Sequence, residues 1–257
     1  MTDEILVSDD ARVRTIRFNR PGKKNAITRA MYTAMAEALE SANEAEVRVV
    51  IIAGSDGVFS AGNDLVDFME APPHIGGGDT PPVERFMRAL MGCEKPVIAA
   101  VDGLAVGIGT TLLLHCDLAY ATPRAVFSAP FVNLALAPEF GSSQILPGLV
   151  GRVVASELLL LGAKWDADKA AAKHLVTDVL PEAGFEDAVR AIAADLAGKA
   201  PGAVKTAKML IGLPEEDLQG RIVREGGLFA DQLRSEEFKE AATAFMERRA
   251  PDFSRFD

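Results

Sequence analysis

The apolar positions of the chain change their spacing three times, and each change predicts a different element. Within Ile5 to Phe18 two runs of β-formers are separated by Ser8-Asp9-Asp10-Ala11, which predicts a hairpin. After Thr28, suited to an N-cap, Met31, Met35, Ala38 and Leu39 recur at helical spacing and mark one buried face. Val47 to Ala53 (VRVVIIA) reads as a strand, and the apolar run Pro96 to Val101 as a buried one. Asp117 to Ala121 and Ala125 to Ser128 read as short β segments. From Gly148 the spacing becomes helical, over Val153 to Leu161, Asp166 to Lys173, Phe185 to Ala197, Ala203 to Ile211, Pro214 to Leu233 and Ser235 to Arg249. One short strand, Val176 to Leu180, interrupts it. The order predicts an α/β core over residues 1–195 and a helical region over 196–257 that serves assembly.

Two glycine passages link a strand to a helix. Ala105-Val106-Gly107-Ile108-Gly109-Thr110-Thr111 leads from the strand ending at Val101 into an apolar run reaching Asp117. Gly54 to Leu65 leads from Val47 to Ala53 into a short helix that Asp64 would cap. Such turns fit a buried helix with a glycine-rich entry. They equally fit a pocket in which free N–H groups hold a ligand oxygen that gains negative charge. Residues Ala71 to Pro82 (APPHIGGGDTPP) exclude regular structure and predict a mobile surface loop at a pocket rim.

Glu139 is the one carboxylate in the passage from Pro130 to Ser143. Between Pro138 and Gly141-Ser142-Ser143 it fits the first turn of a helix, where the dipole favours an acid. With Phe131, Leu134, Leu136 and Phe140 around it, it also fits a desolvated base. His74 reads as a solvated loop residue with no partner at metal spacing, and His115 and His174 as packing or capping groups. No Ser/His/Asp or Cys/His nucleophile arrangement is present.

Composition narrows the function classes. A 49% hydrophobic, 25% charged chain is that of an ordinary globular protein rather than a disordered one. The net charge of −10 argues against nucleic acid, so an anionic small molecule would need a local basic spot such as Lys23 and Lys24. Cys93 and Cys116 sit in apolar surroundings without a CxxC, which points away from disulfides and zinc and towards a reducing compartment. No stretch has the length of a membrane helix, the first ten residues are acidic, and the last four are Ser-Arg-Phe-Asp rather than a Ser-Lys-Leu address. The expectation is a cytoplasmic protein that binds neither nucleic acid nor membrane.

Five stretches in this order resemble the crotonase, or enoyl-CoA hydratase/isomerase, superfamily. They are Arg20-Pro21 to Asn25-Ala26, Phe59 to Leu65, Lys95 to Gly103, Ala105 to Asp117 and Ala244 to Phe253. The resemblance implies an α/β spiral of ββα units with a C-terminal helical trimerisation region, and assembly as homotrimers or hexamers. It implies that the backbone N–H groups of Asn63 and Ile108 form an oxyanion hole for a thioester enolate, with the Asn63 side chain free to vary. Ala61, Gly62, Asp64, Leu65, Gly107 and Gly109 then shape the acyl-CoA site, and Lys23, Lys24 and Ala26 meet the nucleotide. No metal or separate cofactor is implied, since coenzyme A belongs to the substrate.

Hydratases of this family carry two glutamates, and the corresponding positions here hold Thr111 and Phe131, neither of which is a base. Glu139, eight residues beyond Phe131, gives the chain a resemblance to the peroxisomal-type 3,2-trans-enoyl-CoA isomerases. The expected reaction is a double-bond shift from C3 to C2 with Glu139 as proton shuttle. Hydration, thioester hydrolysis, decarboxylation and catalytically silent acyl-CoA binding are the alternatives.

Overall fold

The computed structural model describes residues 2–44 and 46–256; Met1, Ala45 and Asp257, which the sequence readings above span, lie outside the described residues. The chain runs β1 (Ile5–Asp10), β2 (Val13–Phe18), α1 (Arg29–Glu44), β3 (Val49–Ala53), β4 (Val58–Ser60), α2 (Leu65–Glu70) and α3 (Pro82–Met91). It continues with β5 (Val97–Val101), β6 (Leu104–Val106), α4 (Ile108–Thr111), β7 (Leu118–Ala121), β8 (Val126–Ser128), α5 (Ser142–Val150), α6 (Arg152–Leu160), β9 (Lys164–Asp166), α7 (Ala167–Ala172) and β10 (Asp178–Val179). Four helices close it: α8 (Phe185–Ala197), α9 (Pro201–Gly212), α10 (Leu218–Gln232) and α11 (Glu236–Glu247).

From β3 to β8 the strands go alternately to two sheets. One has the order β1-β2-β3-β5-β7-β10 and is parallel except for the β1–β2 hairpin; the other has the order β4-β6-β8-β9, with β9 antiparallel. Each of β3, β5 and β7 is followed at once by its short partner in the second sheet, so the chain winds as ββα units. This is the spiral α/β architecture that the resemblance implied.

Strands β3 and β5 are apolar throughout because both faces are covered. Val50, Ile52, Val97 and Ala99 face a core shared with Met31, Met35 and Leu39 of α1. Val49, Ile51, Ile98 and Ala100 face Phe185, Val189 and Ala193 of α8. Thr28 Oγ1 accepts from the Met31 N–H at 3.3 Å, the N-terminal cap that the sequence suggested for α1.

Several boundaries differ from the sequence reading. The hairpin turns at Ala11 and Arg12, both with positive φ, and Ser8 to Asp10 belong to β1, because strand pairing to β2 outweighs their turn propensity. Strands β4, β6 and β9 have three residues each, too few to show a period, and the amphipathic α3 follows the Pro/Gly loop without a polar N-cap. Helix α5 starts at Ser142, ahead of the Gly148 at which helical spacing becomes evident. The apolar run after Gly107 is not one long helix: α4 is a single turn continued by a 3-10 turn over Leu112–His115. What it can offer a ligand is therefore local N–H groups rather than a long helix dipole.

Candidate active site

Two glycine turns leave the same end of neighbouring strands. Strands β4 and β6 are parallel, with Ser60 paired to Ala105, so Ala61-Gly62-Asn63 and Gly107-Ile108 emerge side by side. A Cβ on Gly62, at φ +91°, would lie 2.8 Å from the Val106 carbonyl oxygen, and one on Gly109 would lie 3.0 Å from that of Ser60. Only glycine lets the two segments approach this closely. Thr110 and Thr111 N–H donate back to Gly107 O at 2.9 Å. Among the described residues the N–H groups of Asn63 and Ile108 find no such acceptor.

The lysine loop is sewn onto the first turn. Lys23 and Lys24 are exposed on a 3-10 turn, while Lys24 O accepts from Ala61 N–H at 2.9 Å and Gly62 O accepts from Ile27 N–H at 2.8 Å, just beyond Ala26. Asp64 caps α2 by accepting from the N–H groups of Val66 and Asp67, and Leu65 opens that helix half exposed. Arg20 donates to Asp64 Oδ2 at 2.6 Å, holding that carboxyl below the usual carboxylate range together with the capping amides. Asn25, fully buried, donates to Val58 O at 2.7 Å and accepts from Arg20 N–H at 2.9 Å. Sequence reasoning passed over Asn25 and Arg20 as site-building residues; the available signal was an asparagine closing the Pro21-Gly22-Lys23-Lys24 loop, a residue type that tolerates the positive φ found there.

Glu139 lies two residues ahead of the Gly141 that precedes α5, outside the first helical turn, so the dipole reading of this carboxylate falls away. Its carbonyl is held by Ser142, whose Oγ donates at 2.7 Å and N–H at 3.0 Å. Its Oε1 is buried with no hydrogen-bond partner, and Asn63 Nδ2 donates to Oε2 at 3.4 Å. Burial pushes the carboxyl up to about 7, against the weaker opposing effect of the Asn63 amide. Of the expected apolar neighbours, Phe131 and Phe140 are buried, but Leu134 and Leu136 are half exposed because the segment after Phe131 turns outward. The remaining apolar wall comes from distant parts of the chain: Phe86 of α3 meets Phe140 at 6.3 Å and Tyr32 of α1 meets Phe86 at 5.5 Å.

Nor is the Asn63 side chain free. Its Oδ1 accepts a short hydrogen bond from the Tyr32 hydroxyl, which orients the amide so that Nδ2 faces Glu139. Burial and the nearby Glu139 charge hold the Tyr32 phenol well above its ordinary range, so it stays a donor. Thr111 is buried with its hydroxyl unpartnered, and Phe131 is buried with its ring 4.0 Å from where a Cβ on Gly107 would lie. Both positions lack a carboxylate. The Ala71 to Pro82 loop is largely exposed and, with Arg29 and Phe68, borders a cavity of about 420 Å³; His74, on its wall, is exposed as expected.

The family model described as enoyl-CoA hydratase/isomerase matches residues 8–255. The chain belongs to the enoyl-CoA hydratase/isomerase family. It is 34% identical over 255 residues to enoyl-CoA delta isomerase 2 of Homo sapiens, across 96% of this chain but 64% of that protein, so it spans less than two thirds of that relative's length. It is 33% identical to the 2,3-dehydroadipyl-CoA hydratase of Escherichia coli K12, covering 97% of this chain and 98% of the other. Among solved structures, a protein of Magnetospirillum magneticum AMB-1 named for an enoyl-CoA hydratase/carnithine racemase superposes with a TM-score of 0.94 at 44% identity, covering 99% of this chain and all of that one. Members of the family thus similar to this chain are named for both isomerisation and hydration, and the fold they share is the one described above.

Proposed function

We propose that this protein is a 3,2-trans-enoyl-CoA isomerase. The observation that carries the reading is the carboxylate of Glu139, with Oε1 buried and unpartnered and Oε2 beside the amide of Asn63, the residue whose backbone N–H would form half of the donor pair. In a 3-enoyl thioester the C2 proton is weakly acidic. Two fixed N–H groups, from Asn63 and Ile108, stabilise the negative charge that develops on the thioester oxygen, and each donor of this kind contributes about 3 kcal/mol to lowering the barrier. Glu139 removes the C2 proton, the C2–H electron pair becomes the C1–C2 π bond of a dienolate, and the same carboxyl returns the proton to C4. The double bond ends between C2 and C3. No water enters the balance, which agrees with Thr111 and Phe131 at the positions where a hydratase holds its glutamates.

Exposed Lys23 and Lys24 suit the phosphates of coenzyme A in an otherwise acidic protein. The exposed apolar side chains Phe229, Phe245 and Met246 of the last helices support association of copies of the chain, as a trimer or a pair of trimers. Among the described residues no helix is long and apolar enough to cross a membrane.

Turnover of trans-3-hexenoyl-CoA and, separately, trans-2-hexenoyl-CoA tests the reading. The expected result is conversion of the first to its 2-enoyl isomer at unchanged mass. Hydration of the second at a comparable rate overturns it in favour of a hydratase. CoA affinity with neither reaction, and with no solvent deuterium entering C2 of either thioester, overturns it in favour of a silent binder.

A further inference from the structure

Phe140 and Gly141, the two residues after Glu139, both have left-handed backbone, with φ +52° and +68°. That conformation is open to glycine and disfavoured for a phenylalanine, so something must hold Phe140 in it. His115 contacts Phe140 at both ends. Its Nε2 lies 2.8 Å from Phe140 O, and since a carbonyl only accepts, Nε2 carries the proton. Its ring stacks on the Phe140 ring, centroids 3.8 Å apart and planes 18° from parallel. Burial keeps the imidazole neutral. His115 also ends the short helical segment that begins at Ile108, so one rigid piece of chain carries the second N–H donor and the imidazole.

We propose that His115 is a positioning residue: through the Nε2–H hydrogen bond to the Phe140 carbonyl, with the stacked ring as packing, it fixes the Glu139 carboxyl relative to the Ile108 N–H. This deepens the isomerase reading and rests on it for the role of Glu139. Taking a proton from C2 and returning it to C4, two bonds away, tolerates little displacement of the base, and a misplacement near 1 Å costs up to about a hundredfold in rate. A histidine that merely fills the core would have no such effect once its volume is replaced.

The test separates the two contacts. His115→Phe keeps a stacked ring and removes the N–H; His115→Gln keeps a donor at the position of Nε2 and removes the stack. In His115→Phe the expected result is a kcat on trans-3-hexenoyl-CoA lower by roughly 10- to 100-fold with KM within about threefold, and His115→Gln recovers most of that loss. Carbon-13 titration of the Glu139 carboxyl in the free protein supplies a readout independent of any substrate. In His115→Phe its midpoint moves from near 7 towards ordinary glutamate as the turn opens to water. Wild-type kcat with an unmoved titration in His115→Phe overturns the proposal, as does an equal loss in both variants. If the wild type does not isomerise, the isomerase reading fails by itself, and the titration still decides whether His115 holds Glu139.

Discussion

Asn63 Nδ2 and Glu139 Oε2, 76 residues apart in sequence, lie 3.4 Å apart across the site. The amide favours the charged carboxylate while burial opposes it, and burial is the larger effect. A base must be deprotonated to act, so kcat/KM should rise tenfold per pH unit below about 7 and level off above it. Asn63→Asp puts a second negative charge against Glu139, and like charges disfavour ionisation. The rising limb should then move up by about one pH unit or more, read from the pH profile of kcat/KM on trans-3-hexenoyl-CoA; a limb that stays in place separates Asn63 from the acidity of the base.

The same elevated proton affinity has a cost in stability. Below pH 4.5 Glu139 is protonated folded or unfolded and contributes nothing to the pH dependence. Between 4.5 and about 7 the unfolded chain releases the proton and the folded one keeps it, so stability falls, by an amount on the order of 3 kcal/mol at most, and is level above. Glu139→Gln should abolish this fall, leaving a Tm above wild type at pH 8 and equal to it near pH 4. Its isomerase rate should drop by about 10² to 10⁴. Denaturant melts at the two pH values and single-turnover kinetics check both halves.

Gly62→Ala should damage stability and catalysis together. The added methyl meets the Val106 carbonyl at 2.8 Å from a φ of +91°, so the two turns must separate. The expected loss is about 1–3 kcal/mol in urea unfolding and at least about a hundredfold in kcat, because a displaced N–H no longer reaches the oxyanion.

If Lys23 and Lys24 hold the nucleotide as proposed, replacing them together by glutamine should raise KM for the CoA thioester about tenfold and leave kcat unchanged, since the charges would act far from the reacting carbons. The KM of the wild type, but not of the variant, should climb steeply between 50 and 300 mM salt. An unchanged KM would move the nucleotide site elsewhere.

What could be read from sequence was what repeats or stands out locally. The buried strands β3 and β5, the capped helix α1, both glycine turns and Glu139 carry their signals within a dozen residues. The three-residue strands β4 and β6 carry none, because their apolar character comes from pairing with each other rather than from a period. Tyr32 drew no reading and His115 was seen only as a packing or capping group, since what gives each its place at the site is a partner far along the chain: Asn63 is 31 residues from Tyr32, and Phe140 is 25 from His115. Leu134 and Leu136 misled in the opposite sense. An apolar residue near a carboxylate need not face it, and here the chain after Phe131 leaves the core.

Because β4 and β6 are hydrogen-bonded neighbours, the two turns that follow them start about 4.8 Å apart, the ordinary spacing of adjacent strands. Two amides at that separation can each stand about 2.9 Å from a single oxygen held between them. On the proposed reading, the grip on the thioester oxygen would be a dimension of the sheet and belong to no side chain. A scan that truncates every residue to alanine would leave the N–H groups of Asn63 and Ile108 intact and score both positions for their side chains alone. Replacing either amide by an ester, which deletes one N–H and little else, is the edit that would expose their weight.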